Sequence, residues 1–414
     1  MENIKADGIK KIPCGVTSAK GFMAAGAHAG FRKKGRKDMA MIFSKTPANA
    51  AGVFTTNVVQ AAPVVWDREA VKKSKIQAVV VNSGIANACT GEAGLEICKK
   101  TCDYAGSVLH IAPESVLVGS TGVIGPQIPF EKLINGIDIL APLLSEDAVS
   151  ATEAAGSIIT TDTHSKETAY EFSAGGKLCH IGAMAKGSGM IHPNMCTMLC
   201  YICTDAAISR PMLQKALSEV VSDTFNMISV DGDMSTNDSL IVLANGEAGN
   251  SEIDSENEDY QTFLTALTAV CTELSKMLAG DGEGCTALFE VKVNNADSKE
   301  NARVLAKSVI CSNLTKAAIF GHDANWGRIL CAIGYSGVKF DPSHVDLYIS
   351  SVSGRLLLFT NGTGTDYSEE EATEILSENY VTAEIDMHMG DCSATAWGCD
   401  LTYDYVKINA DYRS

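Results

Sequence analysis

Short apolar runs ending in glycine turns alternate along this chain with stretches whose apolar residues recur every three to four positions. The run Ala78-Val79-Val80-Val81 reads as a buried strand, and Asn82-Ser83-Gly84 after it predicts a stop. The next periodic stretch predicts a helix over 91–109. A second strand is expected at 116–118, running into Gly119-Ser120-Thr121-Gly122-Val123-Ile124-Gly125, with a helix over 130–144. Residues 198–204 are apolar and fit a strand. Ser209 is then placed to cap a helix with Pro211 in its first turn. Met212, Leu213, Ala216, Leu217, Val220 and Val221 would form that helix's buried stripe. The alternation predicts a layered α/β protein and leaves strand order and sheet direction open.

Length allows two or three domains, or one large domain with a satellite, in 414 residues without a Pro/Ser-rich linker or internal repeat. A formal charge of −17 argues against an extended nucleic-acid or anionic-membrane face, which needs a net basic surface. The basic run Arg32-Lys33-Lys34-Gly35-Arg36-Lys37 reads as a solvated turn before the apolar stretch 39–43, with an anion contact as the alternative. No apolar run approaches the ~18 residues of a membrane span. The opening Met1-Glu2-Asn3-Ile4-Lys5 is polar, unlike a secretory leader, so the 14 Cys are expected as reduced thiols in a cytoplasmic protein.

Three kinds of chemistry compete for the middle of the chain. Cys196, Cys200 and Cys203 have the spacing of an iron–sulfur triplet, but they lie in a run that alternates like a strand, where side chains face opposite sides. Gly119, Gly122 and Gly125 after a strand invite a phosphate loop, yet neither phosphate-binding glycine fingerprint follows. A turn there whose N–H groups line a site would also suit an oxyanion hole. The third reading is a nucleophile. A threonine hydroxyl is weak without a base, but an N-terminal threonine has its own α-amine, with a reference pKa near ~8, to take the proton. Composition and spacing do not single out which threonine.

Long words in one order do. They include Gly21-Phe22-Met23-Ala24-Ala25-Gly26, Ala51-Gly52-Val53-Phe54-Thr55-Thr56 and Asn82-Ser83-Gly84-Ile85-Ala86-Asn87-Ala88-Cys89-Thr90-Gly91. Ser120-Thr121-Gly122-Val123-Ile124-Gly125 and Ala185-Lys186-Gly187-Ser188-Gly189-Met190-Ile191-His192-Pro193-Asn194-Met195 follow. Asp231-Gly232-Asp233-Met234-Ser235-Thr236-Asn237-Asp238 and Asn325-Trp326-Gly327-Arg328-Ile329-Leu330 complete the set. With these the chain resembles the glutamate N-acetyltransferase/ornithine acetyltransferase family of arginine biosynthesis, from Gly21 to the last residue.

The resemblance implies a layered αββα fold with a smaller C-terminal α+β part, expected as a catalytic domain over 1–285 and a subdomain over 286–414 whose tail returns to the site. It implies self-cleavage between Cys196 and Thr197, fragments 1–196 and 197–414 that stay associated as a heterotetramer, and Thr197 as nucleophile. Thr121 and Gly122 match the family's oxyanion pair. Substrate contacts carry over to Thr160, Lys186, Thr197, Glu283, Asn409 and Ser414. Lys186 is assigned to a substrate carboxylate and Glu283 to an ammonium, since a zwitterionic amino acid needs both charges met. The implied reaction moves acetyl from N2-acetylornithine to glutamate without metal or organic cofactor, with acetyl-CoA open as a second donor. A related self-cleaving amidase, in which water replaces glutamate, is the rival. Three places depart from the family's usual words. Cys196 stands where a small Ala precedes the nucleophile, Ile85 replaces a polar residue, and Gly321-His322-Asp323-Ala324-Asn325 differs from the commoner form.

Overall fold

The computed structural model describes residues 8–32, 35–192 and 198–411. Nine strands form the first sheet among these residues: β1 (Ile9–Ile12), β2 (Phe22–Ala27), β3 (Met39–Phe54), β4 (Ile76–Ile85), β5 (Val116–Val123), β6 (Lys166–Ala174), β7 (Lys177–Lys186), β8 (Leu199–Thr204) and β9 (Ser239–Ala244). Their order is β1-β6-β7-β8-β9-β3-β4-β5, with β2 beside β3. The 16-residue strand β3 serves both halves. Met39–Phe43 pairs with β2 and β4, whereas Asn49–Phe54 pairs with β9. Successive residues of a strand face opposite sides, so each half has an inner and an outer face.

The inner faces meet. Phe22, Ile42, Val79, Val81 and Leu117 of one half share a core with Met184, Leu199, Tyr201, Cys203 and Ile241 of the other. Six helices accompany this sheet: α1 (Ala62–Lys73), α2 (Gly91–Leu109), α3 (Phe130–Leu140), α4 (Ala148–Ile158), α5 (Arg210–Asp223) and α6 (Glu258–Ala279). α2 and α3 cover one outer face through Cys98, Cys102, Leu133 and Ile137. α5 and α6 cover the other through Leu213, Leu217, Phe263 and Leu267, while α4 fills the inner core. The result is the αββα layering that the resemblance implied.

A second sheet follows, with β10 (Leu288–Ala296), β11 (Asp346–Ser351), β12 (Gly354–Thr360), β13 (Thr363–Gly364), β14 (Tyr380–Asp386) and β15 (Cys392–Cys399) in the order β13-β12-β11-β14-β10-β15. Its helices are α7 (Lys299–Ile310), α8 (Asn313–Phe320), α9 (Trp326–Gly334), α10 (Glu369–Leu376) and α11 (Tyr403–Asp411). Phe289, Val291 and Val293 join its core to the α6 side of the first sheet. Among the described residues no helix is long and apolar enough to cross a membrane.

The helix expected over 91–109 is α2, residue for residue. The one expected over 130–144 ends earlier, at Leu140, in a short 3-10 turn over 141–143. Pro142 has no N–H to continue the α-helical ladder. Ser209 precedes α5, but its side chain makes no cap bond; of the expected stripe Met212 is only half-buried. One expectation is overturned. Asn82-Ser83-Gly84 does not stop its strand, and β4 runs on to Ile85 in parallel register with β5. The polar side chains are paired instead of turned out. Ser120 Oγ donates to Asn82 Oδ1 (2.7 Å), and Ser83 Oγ donates to the Ser157 carbonyl (2.8 Å). Paired buried polar groups carry little penalty, so the strand continues. For the same reason 119–123 is strand rather than turn.

Candidate active site

Three strand ends converge around β8. Lys186, the last residue of β7, stands opposite Leu199 in antiparallel register. Ser239, the first residue of β9, stands opposite Leu199 on the other side, and its N–H donates to the Met198 carbonyl (2.8 Å). From the other half of the sheet β5 contributes Thr121. A small cavity results, lined by Thr121, Lys186, Gly189, Met198, Asn237 and Asp238 among others. Cys196, Thr197 and Ser414 lie outside the described residues; Met198 is the nearest described neighbour of Thr197.

Thr121 is buried at the cavity wall. Gly122 beside it has φ +128°, and a Cβ there would lie 2.3 Å from the Gly84 carbonyl carbon of the adjoining strand. Glycine alone tolerates both the backbone angle and the approach. Asn237 ties this corner together, its Nδ2 donating to the carbonyls of Ala86 (2.6 Å) and Ser120 (2.8 Å).

Lys186 is buried, and among the described residues its ammonium has no hydrogen-bond partner. Burial pushes its pKa below the ordinary lysine value, and the nearby Asp162 carboxylate opposes that. Asp162 organises the surroundings. Its Oδ1 accepts from Lys166 Nζ (2.8 Å) and from the Gly187 N–H (2.7 Å), and its Oδ2 from the Thr160 N–H (2.9 Å). Burial works against its charge, yet Lys186 and Lys166 hold its carboxyl below the usual range. Lys166 is fully buried and also donates to Asp281 Oδ2 (2.5 Å). Thr160 and Lys186, named from the resemblance, are thus brought together through Asp162. Asp162, Lys166 and Asp281 escaped the sequence reading. The one signal was a lysine opening an apolar alternating run, which equally suits an exposed strand end.

Glu283 and Asn409 also come together. Asn409 Nδ2, on α11, donates to Glu283 Oε2 (2.8 Å), and the Glu283 N–H donates to the Ser188 carbonyl (3.1 Å). The Glu283 carboxylate lies directly over Gly189, where a Cβ would come within 2.4 Å of Cδ. Gly189 lines the cavity with Lys186, so acid and cation flank one opening. Next in the chain, Met190 has φ +55°, held there by Asp231, whose carboxylate accepts from the N–H groups of Met190 (2.6 Å) and Ile191 (2.9 Å). Asp238, a further cavity residue missed from sequence, is buried, and burial drives its carboxyl well above the ordinary range. Its Oδ2 has no hydrogen-bond partner among the described residues.

The cysteine triplet separates as strand alternation requires. Cys200 faces the helix-side core and Cys203 the inter-sheet core, so two of its members point away from each other.

The ArgJ family model matches residues 23–414. Arginine biosynthesis bifunctional protein ArgJ 1 of Clostridium acetobutylicum is 49% identical over 414 residues, covering 100% of both chains. Arginine biosynthesis bifunctional protein ArgJ of Caldanaerobacter subterraneus subsp. tengcongensis is 50% identical over 395 residues, 95% of this chain and 97% of that one. A crystal structure of the Bacillus halodurans arginine biosynthesis bifunctional protein is 45% identical and covers 51% of this chain and 98% of its own, with a TM-score of 0.49. Half-identical relatives of equal length and a family match over all but the first residues lead to one conclusion: the chain belongs to the ArgJ family.

Proposed function

We propose that this enzyme of arginine biosynthesis moves acetyl from N2-acetylornithine to glutamate through an acetyl ester on Thr197. Acetyl-CoA serves as a second acetyl donor, in keeping with the word bifunctional in its relatives' names. The observation that carries the reading is the convergence of Thr121, Lys186 and Met198 on one cavity, with Glu283 and Asn409 at its rim.

In maturation the Thr197 hydroxyl attacks the Cys196 carbonyl, an N→O shift breaks the peptide bond and frees the Thr197 α-amine, and water hydrolyses the resulting ester to the Cys196 carboxylate and the free Thr197 hydroxyl. That amine then takes the hydroxyl proton during turnover. The Thr121 hydroxyl and the Gly122 N–H donate to the oxyanion; losing one such donor typically costs about 3–4 kcal/mol of barrier. Ornithine leaves, and the glutamate amine attacks the ester to give N-acetylglutamate. Lys186 meets a substrate carboxylate, while Thr160, Glu283, Asn409 and Ser414 complete the amino-acid site. No metal or organic cofactor enters the scheme. The fragments 1–196 and 197–414 pair as a cytoplasmic heterotetramer, with a catalytic part over 1–285 and a second part over 286–414 that returns its tail to the site.

A denaturing gel with N-terminal sequencing tests the reading. The smaller fragment is expected to begin Thr-Met-Leu-Cys-Tyr, and Thr197→Ala is expected to remain one chain without transferase activity. An intact Thr197→Ala protein with full activity would refute it.

A further inference from the structure

Two ionisable side chains line the same cavity; Ser235 hydrogen-bonds the Asp238 carboxyl and Asp162 is the acid that acts most on Lys186, yet each leaves a polar atom unpaired among the described residues. The Lys186 ammonium has no hydrogen bond, and Asp238 Oδ2 is shielded from solvent without one. The two sense each other's charge but do not form an ion pair. Burial disfavours the charge on each group, and a buried polar atom without a partner is costly, so their separation needs a cause. The backbone supplies it. Lys186 ends β7 and Asp238 precedes β9, on opposite sides of β8. Two strand spacings, roughly 10 Å, separate their main chains. The Asp238 carbonyl is pinned by the Thr55 N–H (3.0 Å), so the residue is not free to swing across. A gap between a fixed cation and a fixed carboxyl suits a small zwitterion.

We propose that Lys186 and Asp238 together hold the α-amino-acid group of the substrate, with the α-carboxylate on Lys186 and the α-nitrogen on Asp238. This rests on the acetyl-transfer reading above. Every amino acid in that reaction has its α-carboxylate next to the nitrogen that gains or loses acetyl. Acetylornithine presents an amide N–H and glutamate an ammonium, and a carboxylate oxygen accepts from either. Asp238 therefore positions the reacting nitrogen near Thr121. Ornithine has two amino groups; the δ-ammonium is left to Glu283, at the rim beyond Gly189.

The test compares acetyl acceptors for Asp238→Asn and the parent enzyme, each with acetylornithine as donor. Glutamate needs the α-nitrogen contact, whereas hydroxylamine, small and uncharged near neutral pH, does not. Asp238→Asn is expected to lower kcat/KM for glutamate about 10- to 100-fold, the range for a hydrogen bond to a charged group. The kcat/KM for hydroxylamine, which reports deacetylation alone and not acetylornithine binding, should fall at least about 10-fold less than that for glutamate. Equal losses with both acceptors, or unchanged use of glutamate, would overturn the assignment. A parent enzyme that forms no acetyl-hydroxamate from acetylornithine would instead refute the acetyl-transfer reading. If Asp238→Asn does not fold, the unaltered enzyme decides: 2-hydroxyglutarate, with hydroxyl in place of the α-amine, should compete with glutamate at least about 10-fold more weakly than glutamate binds. Equal binding overturns the proposal.

Discussion

Lys166→Met removes a cation that is fully buried between two carboxylates, with its Nζ 2.8 Å from Asp162 Oδ1 and 2.5 Å from Asp281 Oδ2. The replacement fills similar volume but leaves both acids buried without it. Removing one member of a buried ion pair typically costs ~3–5 kcal/mol, because the remaining charge is uncompensated. The unfolding entropy of a 414-residue chain melting as one unit is about 0.9 kcal/mol/K. The expected fall in Tm is therefore roughly 3–6 °C. Lys10 provides the control. Its Nζ is also 2.8 Å from a carboxylate, Glu171, but its side chain is 73% exposed. Exposed pairs contribute ~0.2–1 kcal/mol, so Lys10→Met should shift Tm by about 1 °C or less. Differential scanning calorimetry with urea midpoints checks both variants. Activity should fall as well in Lys166→Met, since Asp162 Oδ1 also accepts the Gly187 N–H beside Lys186. A Lys166→Met protein that melts within 1 °C of the parent, or no lower than Lys10→Met, would refute the reasoning about burial.

Gly122→Ala should be poorly folded or lose more than about 1 kcal/mol by urea midpoint, since φ +128° and the 2.3 Å approach to Gly84 both exclude a side chain; a parent-like midpoint would mean that β4 and β5 part easily there. His192 is held neutral, its pKa lowered to about 4 by burial and then by Lys307. The unfolded ring takes its proton near pH ~6.5 and the folded ring only near 4, so stability should decline as pH falls between these values. His192→Gln should flatten that slope in urea midpoints measured at pH 7 and pH 5; an unchanged slope would place its origin elsewhere.

Much of the scaffold was legible locally. Regular apolar spacing marks α2 because every fourth residue of Gly91–Leu109 faces the same layer. The alternation of residues 199–204 marks β8, and it also explains why Cys200 and Cys203 part company. The end of β4 was not legible. Whether Asn82 and Ser83 turn out to water or stay in a strand depends on Ser120 and Ser157, distant in sequence.

The amino-acid sequence by itself determined the periodicities, the long family words and, through them, the residues of the expected chemistry: Thr121, Gly122, Lys186, Thr197 and Glu283. Only the tertiary structure decided which charged side chains are buried and what they face. Lys166 opens a strand that could equally have been exposed, and Asp238 is one of fifty acidic residues. The physical reason is that burial and Coulomb interactions depend on distance in space. Asp162 and Asp281 meet on one ammonium, and Lys186 and Asp238 share one cavity, only once the sheet has brought its strands together.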